Sequence, residues 1–300
     1  MRLAADRECK GVVAAVRRPV DSLPKGVRQV LVVDQLPTTD WNNALKCIDG
    51  VVHCAARVHV MQDNGTDSLQ AYHEVNVKGT LNLAIQAAQA GVRRFVFVSS
   101  IKVNGEATQS GHPFTADDVP APSDLYGVSK LEAEQGLREI EAQMGMEVVI
   151  VRPPLVYGPG VKANFATMMR WVARGVPLPL GAIRNARSMV ALDNLEDLLV
   201  TCLKHPAAAG QTFLVSDGED VSTTELLRRT AQAMNKKAFL LPVPQSMLEL
   251  GATLFGKRAV AQRLCGSLLV DITKTRSLLS WTPPLTLDLG LKKAVEGMKP

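Results

Sequence analysis

Residues 95–105 read FVFVSSIKVNG, an apolar, β-branched and aromatic run that stops at two serines. A strand apolar at consecutive positions is covered on both faces, as in a parallel sheet. Outward from it, similar runs recur at GVVAAV (11–16), VRQVLVV (27–33), GVVHCAA (50–56) and MEVVIVRP (146–153). Helix-like segments lie between them: AYHEVNVKGTLNLAIQAAQAG (71–91) and SDLYGVSKLEAEQGLREIEAQMG (123–145). The second starts after Ser123-Asp124, good caps, and both end at Gly, a helix stop. Strands separated by helices predict an α/β fold with a doubly wound parallel sheet. After about residue 158 the rhythm changes to Pro/Gly loops such as GVPLPLGAIRNARS (175–188) and short helices. The expected division is a main domain, 1–157, and a smaller lobe, 158–300. Parts of that lobe, ARSMVALDNLEDLL (186–199) and GQTFLVSD (210–217), return as sheet material.

Composition narrows the function. The net charge is +5, the basic residues read as scattered, and aromatics are 4%. That favours a mildly basic enzyme with an anionic small ligand over a nucleic-acid binder. Cys9, Cys47, Cys54, Cys202 and Cys265 form no CxxC, which fits reduced thiols in a cytoplasmic protein. Five dispersed histidines and no Asp/Glu cluster argue against a metal. No apolar run reaches the roughly 18 residues of a membrane span, and no signal peptide is visible. LPVPQSMLELGATLFGK (241–257) comes nearest to a membrane-surface helix and is read as a core or dimer helix, so no stable membrane insertion is expected.

Chemistry concentrates where strand 95–100 ends. Loops at the carboxyl ends of parallel strands collect active sites, and Ser100 sits there. Tyr126 and Lys130, in DLYGVSKLEAE (124–134), are four apart on one helix face. An ammonium beside a phenol stabilises the phenolate and lowers its pKa from about 10, making a usable general base. A serine hydroxyl there can hold the substrate oxygen whose proton moves.

With these residues the chain resembles the extended short-chain dehydrogenase/reductase family, in its nucleotide-sugar epimerase/dehydratase branch. The resemblance covers nearly the whole chain. It implies a Rossmann dinucleotide-binding domain over 1–157 and a nucleotide-sugar lobe over 158–300. It also implies NAD or NADP, a UDP-sugar substrate, a homodimer and the catalytic set Ser100, Tyr126 and Lys130. On the same basis Asp34, Ala55, Ala56, Asn76, Lys130 and Pro153 face the cofactor, Asn76 bracing the active-site end of the sheet. Asn164, Arg187 and Arg263 match positions that bind the diphosphate, where guanidinium groups bond phosphate bidentately.

Departures refine the reading. The family's GxxGxxG turn cradles pyrophosphate on backbone N–H groups, yet none of the 22 glycines here lies three residues from another. MRLAAD (1–6) reads as the end of the helix after that turn, so one βα unit is expected to be missing before it. In the order 3-2-1-4-5-6 the missing strand lies between two others. Its loss leaves unpaired backbone groups costing about 1–3 kcal/mol each, against a net stability of about 5–15 kcal/mol. Ile101 and Lys102 replace the acid pair of the dehydratases, which argues against 4,6-dehydration. Arg17 and Arg18 stand where NAD enzymes carry an acid, and arginine accommodates the 2′-phosphate of NADP. Leu155 replaces a common Asn. The expected function is a UDP-glucose or UDP-N-acetylglucosamine 4-epimerase. The alternatives are an NADPH-dependent 4-ketoreductase of surface-polysaccharide synthesis and an inactive dinucleotide-responsive binding protein.

Overall fold

The computed structural model describes residues 2–6, 8–58, 66–109, 111–161, 163–254, 256 and 258–298. Nine strands appear among them: β1 (Val12–Val16), β2 (Val27–Leu31), β3 (Gly50–His53), β4 (Arg94–Val98), β5 (Glu147–Arg152), β6 (Leu155–Tyr157), β7 (Arg187–Ala191), β8 (Thr212–Leu214) and β9 (Asp220–Val221). The helices up to residue 157 are α1 (Arg2–Ala5), α2 (Asn42–Leu45), α3 (Thr66–Tyr72), α4 (Gly79–Gln89) and α5 (Leu125–Met144). Those that follow are α6 (Ala163–Ala173), α7 (Leu192–Lys204), α8 (Thr223–Ala233), α9 (Gln245–Leu254), α10 (Arg258–Cys265), α11 (Thr273–Leu279) and α12 (Leu287–Glu296).

Strands β3-β4-β5-β8 form a parallel sheet in that order. Strands β1 and β2 pair in parallel, Val12 opposite Val27. Among the described residues no ladder joins β1 to β3, so each has a hydrogen-bonded neighbour on one side only. A third sheet, β6-β7-β9, is separate from these two.

Strand β4 shows why consecutive apolar residues are needed. Phe95 and Phe97 pack with Val148 and Ile150 against Leu83 and Ala84 of α4 and Ala133 and Leu137 of α5. Val96, between the two phenylalanines, faces the other way with Val149, against Leu195, Leu198 and Cys202 of α7. Each buried aromatic or large aliphatic side chain contributes about 1.5–3 kcal/mol. Helix α1 lies on α7, with Arg2 paired to Asp197 and Lys204 to Asp6 at 2.6 Å. A glycine is required at 79, because a Cβ there would lie 2.4 Å from the Gln35 carbonyl oxygen.

One expectation is corrected. Within 241–257 the described helix, α9, is not a core helix, since none of its residues is buried. Its apolar positions repeat at helical spacing, but one side of it, through Leu248, meets the core cluster of Leu178 and Leu227.

Candidate active site

The site grows from the start of α5. Asp124 is extended and caps the helix, its carboxylate accepting the Gly127 N–H at 2.7 Å. Helix begins at Leu125, so Tyr126 falls in the first turn and Lys130 one turn deeper. Ser100 follows β4 and caps the turn Ile101–Val103, its Oγ accepting the Lys102 N–H at 3.3 Å. The Ile101 N–H donates to the Pro153 carbonyl at 3.0 Å, which ties this turn to the end of β5. A Cβ on Gly127 would lie 2.8 Å from the Lys102 carbonyl oxygen, so α5 approaches the serine turn closely only with glycine there. A cleft of about 480 Å³ results, lined by Tyr72, Lys102, Asp124, Tyr126 and Arg263 among others.

The charges differ from the expected arrangement. Burial, with the negative charge of Asp124, pushes the Tyr126 phenol up to about 12. Its ring meets Tyr72 edge-on, centroids 6.4 Å apart. Lys130 is 1% exposed and lies 3.9 Å from the Phe97 ring centroid, with no hydrogen bond from its ammonium among the described residues. Burial brings it down to about 7, opposed by Glu134. The expectation that Lys130 depresses the tyrosine is therefore corrected for this arrangement. The ammonium is turned to the sheet, and the environment of Tyr126 favours its neutral form.

Beneath these residues is a buried polar network that the sequence reading missed. Glu134 lies one turn beyond Lys130 and is bonded by both nitrogens of one fork of Arg152, at 3.0 and 2.6 Å. Ser99 donates to the same carboxylate at 2.5 Å, and Arg152 reaches Asn104 at 3.0 Å. Glu134, Arg152, Ser99 and Asn104 are all at most 5% exposed. The network pins α5 to the ends of β4 and β5, which fixes where Tyr126 and Lys130 stand. The available signal was an acid four residues after a lysine, and that spacing is common on solvated helix faces.

Asn76 sits in a π-helical turn, His73–Lys78, a feature frequent at functional sites. Its amide accepts from the Arg57 N–H at 2.7 Å and donates to Ser129 Oγ at 3.0 Å. Ser129 in turn donates to the Tyr126 carbonyl at 2.8 Å. The side chain thus braces the loop after β3 against α5.

The remaining cofactor candidates follow strand ends. Arg17 and Arg18 come directly after β1 and are exposed, without an ion pair or hydrogen bond among the described residues. Asp34 follows β2 and accepts from Thr39 Oγ1 at 2.6 Å. Ala55 and Ala56 follow β3, and Pro153, buried, follows β5. A nicotinamide dinucleotide fits part of this edge. The buried ammonium of Lys130, with no hydrogen-bond acceptor among the described residues, suits a ribose hydroxyl. No glycine pair at cradle spacing supplies the pyrophosphate turn.

Beyond residue 157, Asn164 falls in the first turn of α6, and its side chain lies outside the described residues. Arg187 opens β7 and donates to the Arg263 carbonyl at 2.6 Å, and burial lowers its pKa. Arg263 is exposed and lines the cleft with Tyr126. The structure therefore gathers Tyr126 and Arg263 at one cleft and uses Arg187 to hold the backbone beneath Arg263.

The chain is similar to a Vibrio cholerae protein named UDP-glucose 4-epimerase, 54% identical over 260 residues, 86% of this chain and 79% of that one. It is 29% identical over 272 residues to an Escherichia coli O157:H7 protein, covering 85% of this chain and 79% of that one. That protein is named N-acetyl-alpha-D-glucosaminyl-diphospho-ditrans,octacis-undecaprenol 4-epimerase. Among solved structures, MoeE5 in complex with UDP-glucose and NAD superposes with a TM-score of 0.74 at 23% identity, over 99% of this chain and 93% of that one. That likeness concerns the fold. Membership is carried by sequence: residues 2–216, well over half of the chain, match one family throughout, and the chain belongs to the NAD dependent epimerase/dehydratase family.

Proposed function

We propose that this protein is a UDP-hexose 4-epimerase dependent on NAD or NADP, acting on UDP-glucose or UDP-N-acetylglucosamine. The observation that carries the reading is the 54% identity to a UDP-glucose 4-epimerase over most of both chains. It is supported by Ser100 directly after β4, by Tyr126 and Lys130 in the first turns of α5, and by the close approach of Gly127 to the Lys102 carbonyl.

In this reading Tyr126 takes the proton of the sugar C4 hydroxyl, and Ser100 holds the same oxygen. A bound nicotinamide supplies the hydride acceptor and donor. Lys130 turns from Phe97 toward the ribose and Tyr126, where its charge brings the phenol down from about 12. Tyr126 would return the same proton to the C4 oxygen once the sugar has turned its other face, giving the opposite configuration. Arg263, Arg187 and Asn164 hold the diphosphate from the lobe, 158–300, while 1–157 holds the dinucleotide through Arg17 or Arg18, Asp34, Ala55, Ala56, Asn76 and Pro153. A homodimer through α4 and α5 and a cytoplasmic setting complete the proposal.

The unpaired Arg17 and Arg18 favour a second reading, a 4-ketoreductase using NADPH. Incubation with UDP-glucose or UDP-N-acetylglucosamine and no added cofactor separates them. The galacto product supports epimerisation. No product, with stoichiometric NADPH oxidation on a 4-keto sugar nucleotide, overturns it in favour of the reductase.

A further inference from the structure

Helices of water-soluble proteins turn their apolar stripe inward. Helix α9 does the reverse. Met247, Leu250 and Leu254, spaced i, i+3, i+7, are 63%, 63% and 77% exposed. Leu248, on the other side of the helix, joins the buried cluster of Leu178 and Leu227. The preceding segment is extended and anchored the same way. The Phe239 carbonyl accepts the Leu178 N–H and the Leu241 N–H donates to the Leu178 carbonyl, both at 2.8 Å. Ala238 and Leu240 pack into that cluster, while Phe239 and Leu241 point outward. Both apolar runs therefore lie on the outside of one core cluster. Isolated exposed apolar residues are ordinary, but a group of them marks an interface.

The charge around this face says what covers it. The stretches of sequence within which it lies, 158–192 and 230–270, contain ten Lys and Arg and a single acid, Glu249. The whole chain has 34 basic and 29 acidic residues, so the rest of the molecule is net acidic. The basic residues are thus concentrated, not scattered. Lys237 is exposed two positions from Phe239, and exposed Arg174 precedes Gly175, whose Cβ position lies 3.9 Å from the Phe239 ring. A second copy would bring a cationic face against a cationic face, and like charges oppose that contact. Apolar side chains flanked by cations match an anionic lipid surface, which accepts the first in its acyl boundary and attracts the second.

We propose that the face built by Phe239–Leu254 and its neighbouring cations docks the protein peripherally on bilayers containing anionic phospholipid. Helix α10 packs on α9 and carries Arg263 into the Tyr126 cleft, so docking sets that cleft close to the headgroups. The proposal does not depend on which sugar is turned over.

The test is co-sedimentation of the full chain with vesicles of phosphatidylcholine alone or with about one third phosphatidylglycerol. Pelleting with the mixed vesicles, little with phosphatidylcholine, and release by salt are expected. Leu250→Glu with Leu254→Glu should weaken binding at least about tenfold. Arg174→Gln with Lys237→Gln, which leaves the apolar stripe intact, should also weaken it about tenfold. Both pairs are exposed, so melting temperature and turnover of a soluble UDP-sugar should match the parent. Absence of pelleting at low salt, or variants that pellet like the parent, would overturn the proposal. So would a dimer in sedimentation velocity that Leu250→Glu dissociates.

Discussion

Replacing Lys130 by Met should stabilise the protein at neutral and acid pH while abolishing turnover. The ammonium is 1% exposed and lies 3.9 Å from the Phe97 ring centroid. Its pKa falls from 10.5 to about 7, mainly because burial disfavours the charge. At about 1.4 kcal/mol for each pH unit, keeping it charged costs about 5 kcal/mol. The contact with Phe97 offsets about 2 kcal/mol. The Met variant should therefore gain about 3 kcal/mol at about pH 6. The sign follows from proton binding. Between pH 7 and 10.5 the unfolded lysine holds a proton that the folded one has released, so the parent gains stability as pH rises. The advantage of the variant shrinks through that window and disappears above it. Urea unfolding of both proteins at several pH values measures this. A variant less stable at pH 6, or a difference constant with pH, would refute the reasoning.

Three other outcomes are expected. Tyr126→Phe should lower turnover at least about 10²-fold with little change in substrate affinity, as for a lost general acid/base, checked by steady-state kinetics. Glu134→Gln should destabilise the fold by about 3–5 kcal/mol in urea unfolding, because it leaves Arg152 buried beside a neutral amide. Gly79→Ala should cost about 1–3 kcal/mol in the same assay, since the Gln35 carbonyl oxygen must move from 2.4 Å.

Much of the fold was legible because it is written locally. Consecutive apolar residues at 95–98 demand cover on both faces, and α4 and α7 provide it. Asp124 and Gly145 mark the ends of α5 through a side-chain cap and a left-handed residue, φ 72°. Tyr126, Lys130 and Ser100 were legible as a pattern; Ser100 directly follows β4, and Tyr126 and Lys130 stand in the first turns of α5. What escaped reading depends on distant partners. Glu134 meets Arg152 and Ser99 only because α5 crosses over β4 and β5. The rise of the Tyr126 pKa comes from burial beside Asp124 and Tyr72, which spacing does not reveal. Helix α9 misled for a related reason. Its apolar period is that of a core helix, and periodicity does not tell which way the stripe faces.

The most direct test of the proposed activity follows the hydrogen at C4. UDP-glucose deuterated at C4 is incubated with the protein, and the product is read by NMR and mass spectrometry. An epimerase that lifts a hydride and returns it to the opposite face of the same sugar keeps the label, so UDP-galactose should form with deuterium at C4. Loss of the deuterium to solvent, or turnover only with stoichiometric consumption of NADPH, would contradict that account.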